Sequence, residues 1–163
     1  MRIEAKLQEL GLVLPEQLQA PEPMRLPFVS VRVQGNRAYI SGAAPTALDG
    51  SVAQPLGKVG AEITIEQGYQ AARLVALAHL GSLKRALDDL DRVTAWLRVF
   101  GMVNVAPGFT QTPTVINGYS DLILELYGPD AGQHARSAVG LAELPFHIPV
   151  EIEAEVEIDG ESL

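Results

Sequence analysis

The stretch that decides the fold is Val150-Glu151-Ile152-Glu153-Ala154-Glu155-Val156-Glu157-Ile158, in which apolar and acidic residues alternate strictly. Successive side chains of a β-strand point to opposite faces, so the apolar residues share one face and the four glutamates share the other. Four like charges cannot all enter a dry core, because an isolated buried carboxylate is strongly disfavoured. The stretch therefore predicts a strand with its apolar face under helices. Its acidic face is either solvated or, at one glutamate, lines a cleft between subunits.

Other segments carry the same signs of strand structure. We predict strands over residues 28–34 and 37–42, joined by the two-residue turn Gly35-Asn36, and further strands over residues 93–105 and 136–141. Proline and glycine without a clear period predict a loop over residues 43–60.

Three segments have the periodicity of amphipathic helices. They are a short helix over residues 3–10, a long helix over residues 65–89 that opens with a capping box of Thr64 and Gln67, and a helix that opens at Thr112-Pro113 and ends near Gly128. Residues 1–27 form an N-terminal helix and a proline-rich arm. The order predicts an α+β fold, with two helices on one face of a mixed sheet, in a single domain over residues 1–163.

Composition narrows the classes of function. The net charge of −8 and the pI of about 4.8 argue against a general nucleic-acid surface, because phosphate binding depends on lysine and arginine. The chain has no cysteine, which excludes disulfides and thiolate chemistry. Its first residues are charged, and no apolar run approaches the roughly 20 residues of a membrane span. We expect a soluble, cytoplasmic protein without a membrane partner.

Arg136 and Glu151 form the candidate catalytic pair. The planar guanidinium fits a carboxylate with two parallel hydrogen bonds, and the glutamate 15 positions later offers a proton acceptor. If two neighbouring strands bring these residues together, they frame a site for a small acid. The alternative for Arg136 is a structural ion pair with a glutamate.

Polar residues near Arg136 are further candidates. His134 precedes Arg136 by two positions and would share its strand face, either as a second acid–base group or substrate contact, or as a loop histidine that caps local backbone. Asn117 either lines the cleft or is a polar residue in the first turns of a helix. His79 is expected to pack in a helix interface and His147 to lie in a turn. The histidines lack zinc-type spacing, so we expect no metal site.

These residues resemble the signature of the YjgF/Rid family of reactive-intermediate (imine) deaminases. The matches lie after residue 27 and comprise Gly35-Asn36, Ser41-Gly42, Asn117, Arg136-Ser137, Leu144-Pro145 and Glu151-Ile152-Glu153-Ala154. A longer branch of the family, labelled YjgF-like or "putative endoribonuclease", is also similar over Val115–Leu122 and Gly132–Arg136.

The resemblance implies a chorismate-mutase-like fold and a homotrimer whose sheets form a central barrel with three clefts between subunits. It implies that Arg136 clasps a substrate carboxylate, that Glu151 orients or activates water, and that the backbone near Ser41 and Gly42 lines the cleft. The implied substrate is a 2-imino acid, hydrolysed to a 2-oxo acid and ammonia without a metal or organic cofactor. The expected substrate-binding set is Phe28, Ser41, Gly42, Asn117, His134 and Arg136.

Some positions depart from the family pattern. Phe28 stands where deaminase-type members commonly have a tyrosine, and Ala138 stands where a cysteine is frequent. Glu155 and Glu157 occupy positions that are often apolar, which bears on the barrel interface. Two other functions stay open: binding of small carboxylic metabolites without fast chemistry, and the ribonuclease activity of the older label. The acidic pI argues against the second.

Overall fold

The computed structural model describes residues 1–160. Its elements are α1 (Arg2–Glu9), β1 (Val31–Gln34), β2 (Arg37–Ala43), α2 (Ile65–Leu87), β3 (Val93–Asn104), α3 (Thr112–Gly132), β4 (Ala135–Leu141) and β5 (Val150–Ile158), with single 3-10 turns at Leu90–Arg92 and Pro145–His147. The predicted order of helices and strands is confirmed. Within residues 1–160 no helix is both long and apolar enough to cross a membrane.

The five strands form one mixed sheet in the order β1-β2-β5-β3-β4. All neighbouring pairs are antiparallel except β3 and β4, which are parallel and are joined by α3. Helices α2 and α3 pack on each other and on the sheet, which confirms the predicted α+β arrangement. The opposite sheet face carries no helix in the described chain and is called the open face below.

Strand β5 is the central strand of this sheet and follows its predicted pattern. Its five apolar side chains are buried with the helices, and they are Val150, Ile152, Ala154, Val156 and Ile158. The four glutamates point to the open face, where they are half-buried or exposed. Burial of alternate residues therefore fixes which way β5 faces, because a shift of one residue would exchange its two faces.

The helix ends follow local chemistry. The Thr64 hydroxyl accepts from the Gln67 amide at 3.1 Å, and the Gln67 side chain accepts from the Thr64 amide at 2.9 Å, so the predicted capping box opens α2. The regular part of α3 ends at Gly128, as predicted. The backbone leaves the helical region there, with φ 77°, and resumes one more turn at Pro129, because proline is well suited to the first position of a helix.

Two glycines let α3 approach its neighbours closely. A Cβ on Gly118 would lie 2.0 Å from the backbone oxygen of Tyr69 in α2, and a Cβ on Gly101 of β3 would lie 2.6 Å from the side chain of Ile116. Since real Cβ contacts are far longer than these distances, both positions require glycine as the structure stands.

Strand β1 begins at Val31 and not at Phe28 as predicted. Ladder pairing ends near the Ser41 amide, which donates to the Ser30 carbonyl at 2.9 Å. The next carbonyl along the arm, that of Val29, accepts instead from the Ser41 hydroxyl at 2.7 Å. A side-chain hydrogen bond thus takes the place of backbone pairing between β1 and β2 at Val29. Phe28 lies before the strand on the arm and is 58% exposed.

Candidate functional site

Arg136 lies on β4 and reaches the first turns of α3. Its Nη1 donates to Asn117 Oδ1 at 2.8 Å and to Ser120 Oγ at 3.1 Å, and its Nη2 donates to the Pro113 carbonyl at 3.3 Å. All three acceptors are uncharged. No ion pair of Arg136 is found among residues 1–160, so the alternative of a structural ion pair with a glutamate finds no support in the described protomer.

His134 lies just before β4 and contacts the same serine as Arg136. Its Nε2 is 2.8 Å from Ser120 Oγ, and its Nδ1 is 2.8 Å from the Gly132 carbonyl. Burial, and then the charge of Arg136, lower the pKa of this imidazole. Both ring nitrogens are therefore engaged within the protomer, and His134 caps local backbone while it also touches the cluster of Asn117, Ser120 and Arg136.

Glu151 lies on β5 next to a glycine of β2. A Cβ on Gly42 would lie 2.7 Å from Glu151 Oε2, so glycine at this position lets the carboxylate lie directly against the backbone of β2. Burial and, second, the charge of Glu153 raise the pKa of Glu151. A carboxyl group with a raised pKa is a stronger proton acceptor when ionised, which suits a general base.

A β-bulge places Ser41 and Gly42 beside Glu151. Strand β2 takes three steps from Ile40 to Ala43 where β5 takes two from Ala154 to Ile152, so one residue of β2 is extra and the strand bends. The freed Ser41 carbonyl lies 3.2 Å from Nε2 of the buried His79. The helix-packing role predicted for His79 is thus confirmed, with a hydrogen bond to this bulge in addition.

The two candidate catalytic residues do not meet within one protomer. In the sheet register Arg136 pairs with Val99 of β3, and Glu151 pairs with Met102 of the same strand. Positions three apart on a strand point to opposite faces, so Arg136 lies on the helix-covered side and Glu151 on the open face. Moreover, β3 separates β4 from β5. The condition that neighbouring strands bring the pair together is therefore not met within a single chain.

The chain shows clear similarity to known proteins. The family model described as "YjgF/chorismate_mutase-like, putative endoribonuclease" matches residues 4–148. The chain belongs to this family. Protein TCP17 of Trypanosoma cruzi, which is 40% identical over 158 residues, is matched over 97% of this chain and 95% of its own length.

Two solved structures have a fold similar to that of this chain. The protein Atu1372 of Agrobacterium tumefaciens, of unknown function, has a TM-score of 0.85 at 38% identity, over 97% of this chain and 94% of its own. A "putative endoribonuclease" of Shewanella oneidensis MR-1 also has a TM-score of 0.85, at 30% identity, over 97% of this chain and 100% of its own. The family resemblance inferred from sequence is confirmed, and the mixed sheet with its helices agrees with the YjgF fold.

One group of acidic residues has the geometry to hold a cation. Oxygens of Glu4, Asp89 and Asp91 lie within 4.8 Å of one another. Asp91 is already engaged by the N-terminal amine at 2.8 Å, and Glu4 is paired with Lys84 at 3.1 Å. These partners give the cluster a structural role in holding the chain start, and nothing in it points to a cofactor.

Sequence reasoning missed Ser120 and the Pro113 carbonyl as partners of Arg136. Ser120 stands four residues before Leu124 and one after buried Tyr119, and the pattern marks it only as a helix position near the buried stripe. One signal was present, since Asn117 and Ser120 are three apart and share a helix face. Backbone carbonyls carry no signal in a sequence.

Proposed function

We propose that this protein is a hydrolase that converts small reactive 2-imino acids into 2-oxo acids and ammonia. The observation that carries the proposal is the state of Arg136, whose three hydrogen bonds all end on neutral oxygens. Such acceptors orient a guanidinium without neutralising it, so its charge is left for an anionic ligand. A carboxylate is the small anion whose shape a planar fork of donors matches.

The proposed site lies between subunits of a homotrimer. Support comes from the register, which puts Arg136 on the helix side near the sheet edge and Glu151 on the open face. A ligand that touches both must then be held by the edge of one protomer and the open face of another. Oligomers commonly build sites at such interfaces, and a closed ring of three needs a head-to-tail contact.

The reaction mainly requires that the substrate and a water molecule are held in the right positions. Arg136 holds the carboxylate of the protonated imine, Glu151 accepts a proton from water, and the oxygen attacks the imine carbon as the C=N bond opens. The nitrogen then takes the proton from Glu151, and the C–N bond breaks to release ammonia as the C=O bond forms. Ammonia takes up the proton of the former hydroxyl group, so one water and one iminium give one 2-oxo acid and one ammonium. Acid–base help contributes about 10²–10⁴ in rate.

The other expected site residues take supporting places in this proposal. Asn117 orients the guanidinium, Gly42 makes room for the Glu151 carboxylate, and the Ser41 backbone lines the same pocket. Phe28, exposed on the arm, supplies an apolar wall without a hydroxyl group. His134 supports Arg136 through Ser120 and does not contact the substrate, since both of its ring nitrogens already have partners.

The test follows the loss of 2-iminobutyrate generated in situ, with wild type, Arg136→Ala and Glu151→Gln. We expect acceleration by the wild type and a loss of about 10²-fold or more in each variant. Arg25→Ala and Glu125→Gln are matched controls, because these residues are exposed on the arm and on α3, and both should retain activity.

Other outcomes would select the other functions. A wild type that leaves the imine untouched but binds 2-oxobutyrate in calorimetry would be a metabolite-binding protein. RNA cleavage that survives repeated purification and is lost in Glu151→Gln would establish a ribonuclease. The first result rejects the deaminase, and the second rejects it when the same protein leaves the imine untouched.

A further inference from the structure

Ser120 links Arg136 to His134 in a chain of hydrogen bonds that runs in one direction. His134 Nδ1 faces the Gly132 carbonyl at 2.8 Å, and because a carbonyl oxygen only accepts, Nδ1 carries the proton. Burial and the charge of Arg136 lower the pKa of this imidazole, which favours the neutral ring. Nε2 is then an acceptor and takes the Ser120 hydroxyl at 2.8 Å, which leaves the lone pairs of Ser120 Oγ for Nη1 of Arg136 at 3.1 Å.

His134 keeps the serine from its usual alternative. A serine within a helix commonly donates to the carbonyl one turn earlier in the same helix. In this protein the hydroxyl proton points to the imidazole instead. Ser120 is buried, and its hydroxyl group contacts His134 on one side and Arg136 on the other. These two partners set the orientation of the hydroxyl group.

Because both hydrogens of Nη1 have partners, the edge formed by Nε and Nη2 is the one at which two donors can face a ligand. Asn117 and Ser120 take the two Nη1 hydrogens, and the Pro113 carbonyl takes one of the two on Nη2. A guanidinium carries five N–H donors. Among the described residues, the donors without a partner are thus Nε–H and one Nη2 hydrogen of Arg136. An edge made of Nε and Nη2 presents two parallel donors at the spacing of carboxylate oxygens.

We propose that Ser120 and His134 are positioning residues which, together with Asn117, fix the guanidinium of Arg136 so that its Nε and Nη2 edge grips one carboxylate side-on. The identity of the ligand rests on the proposed function. The fixed guanidinium is a property of the free protein and can be tested without any ligand.

The first test is nitrogen-15 NMR of the arginine side chains in the ligand-free protein. We expect Arg136, assigned by its loss in Arg136→Lys, to show slow guanidinium rotation, with separately resolved Nη hydrogens. In Ser120→Ala these signals should broaden like those of the exposed Arg25. The nitrogen shifts of His134 should also report a proton on Nδ1. If Arg136 rotates as freely as Arg25 in the wild type, the positioning role is rejected.

The second test measures the binding of 2-oxobutyrate by calorimetry. Loss of one hydrogen bond to a charged group predicts that Ser120→Ala raises Kd by about tenfold or more, and that Ser120→Thr, which keeps the hydroxyl, restores most of the affinity. Since His134 acts through Ser120, His134→Ala should weaken binding in the wild type and have no further effect in the Ser120→Ala background. Additive losses would overturn the chain of contacts.

A matched control separates positioning from general loosening of the fold. Tyr127→Phe removes a buried hydrogen bond, from the tyrosine hydroxyl to the Leu90 carbonyl at 3.0 Å, on the same helix but away from Arg136. We expect it to leave Kd unchanged. If Ser120→Ala weakens binding no more than Tyr127→Phe, the inference fails while the proposed function stands. If the wild type binds no carboxylate, the proposed function fails and the NMR result alone judges the positioning.

Discussion

At the scale of the residue, His79 shows how burial lowers the pKa of a side chain next to the site. It is fully buried, with Nδ1 at 2.7 Å from the Tyr119 hydroxyl and Nε2 at 3.2 Å from the Ser41 carbonyl. Burial lowers its pKa from 6.5 to about 4. The unfolded chain therefore binds a proton near pH 6.5 that the folded chain resists, and stability falls as the pH falls through this window.

The His79 prediction concerns unfolding as a function of pH. We expect the wild type to lose up to about 3 kcal/mol of unfolding free energy through this group between pH 6.5 and pH 4. His79→Gln, which keeps one donor and one acceptor but does not titrate, should show a flatter curve in urea denaturation. His147→Gln removes an exposed histidine and is the matched control, because the flatter curve should be specific to His79→Gln. Parallel curves for wild type and His79→Gln would contradict the assignment.

At the scale of the element, the contact of α2 with α3 depends on one position without a side chain. A methyl group on Gly118 would meet the backbone oxygen of Tyr69 at 2.0 Å, and backbone cannot turn away as a side chain can. Gly118→Ala is expected to lower the unfolding free energy by about 2 kcal/mol, despite the higher helix propensity of alanine. Glu125→Ala, exposed on the same helix, should change it little in the same denaturation assay. Equal stability of the two variants would show that the helices can separate without cost.

At the scale of the whole molecule, the open face of the sheet is the proposed surface between subunits. Tyr39 on this face is 41% exposed and pairs with Glu155 of β5. We expect the wild type to have a solution mass of about 53 kDa, three times 17.5 kDa, by light scattering. Tyr39→Asp should give monomers and lose activity, because it adds a second negative charge opposite Glu155.

The control for this prediction is an apolar residue of the helical side. Leu124 on α3 is 37% exposed, so Leu124→Asp makes a similar change away from the proposed interface and should leave the mass unchanged. A monomeric wild type would remove the subunit cleft and with it the shared site. A trimer that survives Tyr39→Asp would place the interface elsewhere.

Much of the fold could be predicted because its signals are local. The alternation over residues 150–158, the capping box at Thr64 and the two-residue turn at Gly35 each involve neighbours within a few positions, and all three are found in the structure. The prediction that β1 starts at Phe28 is wrong, because a hydrogen bond from the Ser41 side chain of β2 to the Val29 carbonyl replaces strand pairing before Val31. The break of α3 at Gly128 was also predicted, whereas the further turn that begins at Pro129 was not.

The sequence by itself determined the family, the two faces of β5 and the importance of Arg136 and Glu151 as candidates, since each follows from residue types at fixed spacing. Only the tertiary structure decided that β3 lies between their strands and that the two side chains point to opposite faces. It also decided that Arg136 rests on neutral oxygens of α3. Strand order and helix docking come from burial of apolar surface across distant segments, and no local pattern encodes them.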